Sequence, residues 1–221
     1  METEIFENVD QYIRNLLGAE DEVLRNTDKS IKDANIPPIS VSANQGKFLQ
    51  VLAKACNAKK ILEIGTLAGY STIWMARALP KNGKLISLEF DPVHARVAKK
   101  NIENAGLSAV VDIRIGKAID LLPQIDANKE GPFDMIFIDA DKPPYTEYFQ
   151  WSLKLSRPGT VIVADNVIRD GQVLDAHSTD EMVVGAQRFN AFLGSSSAVT
   201  ATIIQTVGSK MHDGMAVAVV N

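Results

Sequence analysis

Lys60-Ile-Leu-Glu-Ile-Gly65-Thr-Leu-Ala-Gly69-Tyr-Ser71 is the stretch that decides the fold of this 221-residue chain. The apolar run at 61–64 predicts a buried strand, and residues 71–79 carry apolar side chains at helical spacing. Two glycines lie in the turn, where they allow a ligand to approach the backbone closely, and the start of the helix offers free N–H groups. The stretch therefore predicts a strand, a glycine turn and a helix that together bind a ligand.

The spacing of the glycines limits the kind of ligand. Gly65 and Gly69 form Gly-x-x-x-Gly, which differs from the Gly-x-Gly-x-x-Gly of dinucleotide folds, and no Gly-Lys-Ser/Thr of a P-loop follows. Glu63 lies just before the turn, where its negative charge would repel a phosphate. The turn therefore favours a ligand with a cationic or hydroxyl-bearing end.

The composition is that of one sizeable α/β domain, because 46% of the residues are hydrophobic. A formal net charge of −4 argues against a broad phosphate-binding surface. Cys56 is the one cysteine, so an internal disulfide framework and a multi-cysteine metal site are excluded. The sequence shows no apolar N-terminal leader and no run of about eighteen apolar residues, which predicts a soluble, cytoplasmic protein with no membrane partner.

The order of the predicted elements indicates an α/β sheet. Residues 2–34 read as two helices, the first ending at Gly18, followed by a break at Pro37-Pro38, a polar segment at 39–46 and an apolar helix at 47–56. Strands and helices then alternate, with strands expected at 61–64, 84–88, 111–115, 133–138, 160–164, 198–206 and 215–220. Repeated β–α units predict a mostly parallel sheet, and the closing hairpin predicts one antiparallel edge strand.

Polar residues and glycines end the five parallel strands, which matters because ligands of such sheets bind at the carboxyl ends of the strands. These positions are Glu63 to Gly65, Glu89, Gly116 to Ala118, Asp139, and Asp165-Asn166. Glu89 could accept hydrogen bonds from both hydroxyls of a ribose, or it could be an exposed strand-end acid. The glycine turn beside it favours the ribose contact.

Asp139, Asp165 and Asn166 form a second group, which two neighbouring strands would bring to one edge of the sheet. Two carboxylates and an amide oxygen suit Mg²⁺, Ca²⁺ or Mn²⁺ rather than Zn²⁺. Asp and Asn also often cap helices, and the pattern by itself leaves both interpretations equally open. Lys142 could act as a base if it is desolvated beside a metal, although a solvated loop lysine is the more ordinary interpretation.

The three histidines, His94, His177 and His212, have no partners at informative spacing, so the sequence assigns none of them a catalytic or ligand role. No Gly-x-Ser-x-Gly elbow is present, which argues against a hydrolase triad.

With these residues in hand, the chain resembles the cation-dependent class I S-adenosylmethionine (SAM) O-methyltransferases, which include catechol and caffeoyl-coenzyme A O-methyltransferases. The resemblance runs from about residue 39 to the C-terminus. It rests on Ser42-Ala-Asn-Gln-Gly46-Lys-Phe-Leu49, Leu62-Glu-Ile-Gly65-Thr-Leu-Ala-Gly69-Tyr-Ser71, Phe137-Ile-Asp139-Ala-Asp-Lys142, Ala164-Asp-Asn-Val-Ile168 and Lys210-Met-His-Asp-Gly214. The Asp-Ala-Asp-Lys and Asp-Asn motifs at this separation are the specific part of it.

The resemblance implies a Rossmann-like fold, with a mostly parallel seven-stranded sheet, an antiparallel C-terminal strand and helices on both faces. It implies a single methyltransferase domain over residues 1–221, with an N-terminal helical extension at 1–38 and a SAM-binding core at 39–221. Because the family is usually dimeric, it also implies a homodimer.

The resemblance also assigns roles to residues. Asp139, Asp165 and Asn166 match the positions that hold a divalent cation, usually Mg²⁺, with Ca²⁺ or Mn²⁺ as alternatives. Lys142 matches the general base. Contacts with SAM are implied for Val41, Glu63, Gly65, Thr66, Ser71, Glu89, Ala118 and Asp139. An acid at Glu63 fits this ligand, because SAM carries an α-ammonium group and no phosphate.

The mechanism implied by the resemblance is methylation of a phenolic small molecule with two vicinal hydroxyls. The metal would bind both oxygens and lower the pKa of a hydroxyl. Lys142 would remove the proton, and the phenolate would attack the sulfonium methyl in line.

One departure from the family lies beside the metal motif. Plant relatives have Asp-Asn-x-Leu-Trp, whereas this chain has Asp165-Asn-Val-Ile-Arg169-Asp-Gly171. The aromatic wall of the acceptor site is therefore altered, and Arg169 could meet an anionic group of the substrate.

Two alternatives stay open at this point. A tRNA methyltransferase acting on a hydroxylated uridine belongs to a branch of the same family, but the acidic balance and the lack of a basic patch with interleaved aromatics make nucleic acid an improbable partner. A non-catalytic SAM-binding protein would be expected to lack the metal ligands or the base, and all four of those residues are present.

Overall fold

The glycine turn follows a central strand of a seven-stranded sheet. The computed structural model describes residues 2–18, 20–209 and 212–221. The strands are β1 Lys60–Ile64, β2 Lys84–Glu89, β3 Val111–Ile115, β4 Met135–Ile138, β5 Val161–Ala164, β6 Val199–Thr206 and β7 Asp213–Val220. Their spatial order is β3-β2-β1-β4-β5-β7-β6. Strand order reverses at β1, between β2 and β4, and such a switch point is where α/β sheets bind ligands.

Strands β1 to β5 pair in parallel, whereas β7 is antiparallel to both of its neighbours, β5 and β6. The mostly parallel sheet with an antiparallel C-terminal strand is thus confirmed, and so is an antiparallel edge strand from the closing hairpin, which is β6. The residues of β6 are mostly exposed, whereas four of the eight residues of β7 are buried. The apolar strand of the hairpin lies inside because its side chains can be covered there on both faces. Two residues of the loop between these strands, Lys210 and Met211, lie outside the described residues.

Helices cover both faces of the sheet, as expected. They are α1 Glu2–Leu17, α2 Glu22–Asp33, α3 Ala43–Ala55, α4 Tyr70–Ala76, α5 Pro92–Asn104, α6 Ala118–Ala127, α7 Tyr145–Lys154 and α8 Glu181–Ser195. Alternate residues of each parallel strand point to opposite faces. Ile61 packs with α3, α4 and α5, while Leu62 packs with α6, α7 and α8. The sheet therefore lies between two apolar cores, and these fix the positions of the carboxyl ends of its parallel strands.

Helix α3 begins earlier than the sequence pattern predicts, at Ala43 instead of residue 47. Ser42 caps it: the Gln45 backbone N–H donates to the Ser42 hydroxyl over 3.2 Å, and the Ser42 N–H donates to the Gln45 side-chain oxygen over 2.7 Å. This reciprocal capping box satisfies two backbone donors at once. The polar segment at 39–46 is thus partly the first turn of a helix, and it places Val41 just before the cap.

The apolar face of α1 is largely uncovered by the described chain. Its apolar side chains are between 40% and 69% exposed, and they are Ile5, Phe6, Val9, Tyr12, Ile13, Leu16 and Leu17. The helix ends before Gly18, as the sequence predicts. None of the helices in the described ranges has the length and hydropathy that crossing a bilayer requires.

Candidate active site

A cleft of about 1070 Å³ opens at the carboxyl ends of the parallel strands. Ten of the eleven residues to which the sequence assigns a site role line this cleft, and the exception is Glu63. The ten are Val41, Gly65, Thr66, Ser71, Glu89, Ala118, Asp139, Lys142, Asp165 and Asn166. One cavity thus brings together residues from four strand ends, from the capping segment before α3 and from the start of α6.

The glycine turn lies directly against the end of β4. Gly65 has φ of +93°, and a Cβ on it would lie 2.1 Å from the carbonyl oxygen of Asp139. A side chain at this position is therefore excluded both by backbone conformation and by space. The close approach brings the turn next to Asp139, which is one of the predicted metal ligands.

Glu63 lies beneath the turn and is fully buried. Its carboxylate accepts hydrogen bonds from the hydroxyls of Ser71 and Ser87, each over 2.6 Å, and from the hydroxyl of Thr72. Burial raises the pKa of Glu63 to about 7, although the three hydroxyls oppose that shift. In this arrangement Glu63 holds the side chain of Ser71 at the cleft and does not itself reach the cleft surface.

Glu89, at the end of β2, holds the glycine turn in place through hydrogen bonds from the backbone of the turn. One carboxylate oxygen accepts the backbone N–H groups of Thr66 and Leu67, over 3.2 and 2.8 Å, and the other accepts the N–H of Asp91 over 3.0 Å. His94 Nδ1 lies 3.7 Å from the second oxygen and lines the cleft. The sequence assigned His94 no role, because its link to Glu89 depends on how α5 packs. The sequence did contain one signal for this contact: His94 comes five residues after Glu89, in the first turn of α5, which is close to the end of β2.

The two predicted acidic ligands, Asp139 and Asp165, follow directly after the paired residues Ile138 of β4 and Ala164 of β5, so they lie near each other at the ends of neighbouring strands. Asp165 is 2% exposed, and both burial and the negative charge of Asp139 raise its pKa above the usual carboxyl range. Asn166 has φ of +56°, and its N–H donates to the carboxylate of Asp165 over 2.8 Å. Two carboxylates this close repel each other unless a positive charge lies between them.

Lys142 supplies a positive charge at this point and is 2% exposed, so it is not a solvated loop lysine. Its ammonium donates to the carbonyl of Asp165 over 3.1 Å and to the Asn166 side-chain oxygen over 3.2 Å, and it lies 3.5 Å from Asp139 Oδ1. Burial lowers the pKa of Lys142, and the charges of Asp139 and Asp165 oppose that shift. The predicted base thus contacts all three predicted ligands, Asp139 and Asn166 through their side chains and Asp165 through its backbone carbonyl.

Two residues that the sequence analysis missed hold Lys142 in place. The hydroxyl of Tyr145 contacts its amine and lies 3.2 and 3.0 Å from the carbonyl oxygens of Ile138 and Asp165. Gly185 of α8 packs against the backbone of Lys142, where a Cβ would lie 2.4 Å from the Lys142 carbonyl oxygen. A glycine inside a helix is unfavourable without a packing reason, so Gly185 was a usable signal.

The donor set at this edge is compatible with a hard divalent cation. In the part of the chain that the structure describes, no three His, Cys, Asp or Glu side chains form a cluster that could hold a metal. A site here would therefore need the amide oxygen of Asn166 beside Asp139 and Asp165. Carboxylate and amide oxygens are the ligands that Mg²⁺ and Ca²⁺ take, so these residues fit such an ion.

The parallel sheet, the glycine turn and the cleft above them define a methyltransferase-type α/β enzyme. A family model described as O-methyltransferase matches residues 15–219, and the chain belongs to this family. The fold and the family that the sequence predicts are confirmed.

Two curated relatives are similar to this chain over nearly all of its length. The chain is 68% identical over 220 residues to the catechol O-methyltransferase of Niastella koreensis, with 100% of both chains covered. It is 45% identical over 213 residues to the catechol O-methyltransferase of Mycobacterium tuberculosis, covering 96% of this chain and 95% of that one.

Two solved relatives have the same fold. The O-methyltransferase of Bacillus cereus was determined in complex with S-adenosylhomocysteine (SAH), which is SAM without its methyl group. It superposes with a TM-score of 0.97 at 49% identity, covering 99% of this chain and 100% of that one. The O-methyltransferase of Streptomyces achromogenes, determined in complex with SAM, has a TM-score of 0.97 at 46% identity, covering 100% and 99% of the two chains.

Proposed function

We propose that this protein is a SAM-dependent and divalent-cation-dependent O-methyltransferase whose acceptor is a catechol-like aromatic small molecule. The observation that carries the proposal is the contact of Lys142 with Asp139, Asp165 and Asn166 in one wall of the cleft, beside the glycine turn. The names of the Niastella and Mycobacterium relatives support the acceptor class.

The methyl donor would occupy the half of the cleft around the glycine turn. SAM has a ribose, which Glu89 can engage from the end of β2, and an amino-acid end, which Ser71 and the backbone at Val41 can meet. Glu63 would act through Ser71, whose hydroxyl it holds over 2.6 Å. Gly65, Thr66, Ala118 and Asp139 complete this half of the cleft. The SAH and SAM complexes of the Bacillus and Streptomyces relatives support this assignment.

Asp139, Asp165 and Asn166 would hold the cation, Mg²⁺ by preference, with Ca²⁺ or Mn²⁺ as alternatives. When bound, such an ion acts as a Lewis acid that lowers the pKa of an acceptor hydroxyl. The Asn166 oxygen that would ligate it accepts a hydrogen bond from the ammonium of Lys142 over 3.2 Å. A positive ion at this oxygen disfavours the charged form of Lys142, as burial already does. Lys142 would then be a neutral amine able to take the hydroxyl proton.

The alternatives from the sequence gain no support. A tRNA acceptor would bring phosphates to a chain of net charge −4, and the cleft is also lined by the carboxylates of Asp141 and Asp213. A non-catalytic SAM-binding protein would have no need of a buried lysine that contacts Asp139, Asp165 and Asn166.

We also propose a homodimer, because the uncovered apolar face of α1 is suited to contact with a second protein surface. Light scattering of the purified protein would test this, and a monomer at micromolar concentration would contradict it. The predicted cytoplasmic location and the division of the chain at residue 38 stay predictions.

The function can be tested with labelled SAM, a neutral catechol and bulk tRNA as competing acceptors. We expect methyl transfer to the catechol, loss of that transfer after treatment with EDTA, and recovery on addition of Mg²⁺. A phenol with a single hydroxyl is the matched control acceptor, and it should react far more slowly. Transfer to tRNA alone, or unchanged transfer after chelation, would overturn the proposal.

A further inference from the structure

Arg169 is a basic residue of the cleft to which the proposed reaction gives no role. It follows the Asp165-Asn166 pair on the loop after β5 and lines the cleft together with Tyr148, Met182 and Asp213. In the strand order β1-β4-β5-β7, Arg169 follows β5 and Asp213 begins β7, so both lie on the side of β4 away from the glycine turn. Arg169 is therefore placed in the half of the cleft that is left for the acceptor.

The backbone around Arg169 is held in an uncommon conformation. Arg169 and Asp170 have φ of +56° and +55°, which residues other than glycine adopt rarely. The N–H groups of Ile168 and Arg169 both donate to Asp213 Oδ1, each over 3.0 Å. Asp213, at the start of β7, thus fixes the loop that carries the Arg169 side chain.

The guanidinium group of Arg169 has no counter-ion in the described part of the chain. Its Nε is buried without a hydrogen-bond partner. Five other arginines make ion pairs with carboxylates, and they are Arg14, Arg77, Arg114, Arg157 and Arg188. A buried donor without a partner is costly, and one that belongs to a charged group costs more. Because Arg169 lines the cleft, an anionic group there would supply the counter-ion that the described part of the chain does not.

The surrounding charges select the kind of anion. Guanidinium groups pair with carboxylates and with phosphates. The same cleft is lined by Asp139, Asp141, Asp165 and Asp213, whose negative charges repel a dianionic phosphate more strongly than a monoanionic carboxylate. A carboxylate is therefore the anion that fits beside Arg169.

We infer that Arg169 determines acceptor specificity by binding a carboxylate group, so that the preferred acceptor is a catechol carrying a carboxylate on its ring or on a short side chain. The inference rests on the proposed function, because it assumes that a catechol occupies the cleft beside Lys142. It narrows the acceptor class from catechols in general to anionic ones.

The test compares matched acids and amides. The enzyme is assayed with 3,4-dihydroxybenzoate against 3,4-dihydroxybenzamide, and with 3-(3,4-dihydroxyphenyl)propanoate against its amide, so that two distances from ring to carboxylate are covered. We expect kcat/KM to favour the acid by about tenfold or more in at least one pair, the range of a charged hydrogen bond. Arg169→Met should reduce that acid-to-amide ratio to near one, and Arg169→Lys should restore part of it.

Arg96→Met is the matched control, because it removes the same charge from an exposed position of α5. It should keep the wild-type ratio. The inference is overturned if the wild-type enzyme favours neither acid over its amide, or if Arg169→Met keeps the wild-type preference. It is also overturned if Arg169→Met binds SAH about tenfold more weakly, because Arg169 would then contribute to binding of the methyl donor. Absence of transfer to all four catechols would instead refute the proposed function, and the inference with it.

Discussion

Gly185 and Lys142 touch through their backbones: a Cβ on Gly185 would lie 2.4 Å from the Lys142 carbonyl oxygen and 2.8 Å from the nitrogen of Pro143. Helix α8 therefore serves as a support for the loop that carries the proposed base. Because backbone atoms cannot move aside as the end of a long side chain can, even one methyl group at Gly185 must displace the loop or the helix.

The first prediction follows from this contact. Gly185→Ala should lower kcat by about tenfold or more, because misplacing a catalytic group by a fraction of an ångström is costly, and overpacking should reduce the free energy of unfolding by about 1–3 kcal/mol. Gly194→Ala, on the same helix with nothing within 4 Å of the added Cβ, is the control. It should retain kcat and gain about 0.4–1 kcal/mol of stability. Wild-type kcat in Gly185→Ala would contradict the supporting role.

The second prediction concerns the hydroxyl of Tyr145, which contacts the amine of Lys142. Tyr145→Phe removes this contact and leaves the ring in place, so we expect kcat to fall by about tenfold while the affinity for SAH stays within about twofold. Tyr148→Phe, on the same helix, removes a bond of 2.8 Å to Asp141 and should have a smaller effect on kcat. Equal losses in the two variants would show that the Tyr145 hydroxyl has no special link to Lys142.

The third prediction tests the proposed base directly. Lys142→Ala should reduce turnover of a catechol by about 10²- to 10⁴-fold, which is the usual contribution of a general base. Binding of SAH, measured by calorimetry, should persist, because the residues around the glycine turn are unchanged. Turnover that matches the wild-type enzyme would refute the assignment, and a parallel loss of SAH binding would point to a structural role instead.

The fourth prediction is a pH dependence of stability that arises from Glu63. Burial raises its pKa in the folded protein to about 7, above the ordinary value of 4.5. Between these values the folded state binds the proton and the unfolded state does not. The protonated carboxyl therefore stabilises the fold fully below about pH 4.5, and this contribution is lost as the pH rises towards about 7, at about 1.4 kcal/mol per pKa unit.

Chemical unfolding of the ligand-free protein and of Glu63→Gln at pH 5 and pH 8 measures this contribution. We expect the wild-type protein to lose stability relative to Glu63→Gln by about 2–3 kcal/mol between the two pH values. The glutamine keeps the shape and can still bond the hydroxyls of Ser71, Thr72 and Ser87. A stability difference that does not change with pH would show that Glu63 is charged in the folded protein throughout.

The amino-acid sequence alone determined the elements whose causes are local. The apolar run at 61–64 and the glycines that follow it specify a buried strand and a tight turn, and strand-end residues such as Glu89 and Asp165 could be placed at one edge because parallel strands end together. The capping box of Ser42 and Gln45 was equally local, and reading it would have placed the start of α3 correctly.

Tertiary structure alone decided the rest, because those features depend on which surfaces become covered. Strand β7 lies inside β6 since only the interior position buries its apolar side chains on both faces. Lys142 is buried because α8, which comes much later in the chain, approaches its backbone closely at Gly185. Arg169 likewise faces the cleft because Asp213, distant in sequence, binds the backbone of its loop. Such contacts join residues far apart in the chain, and no periodicity or short motif records them.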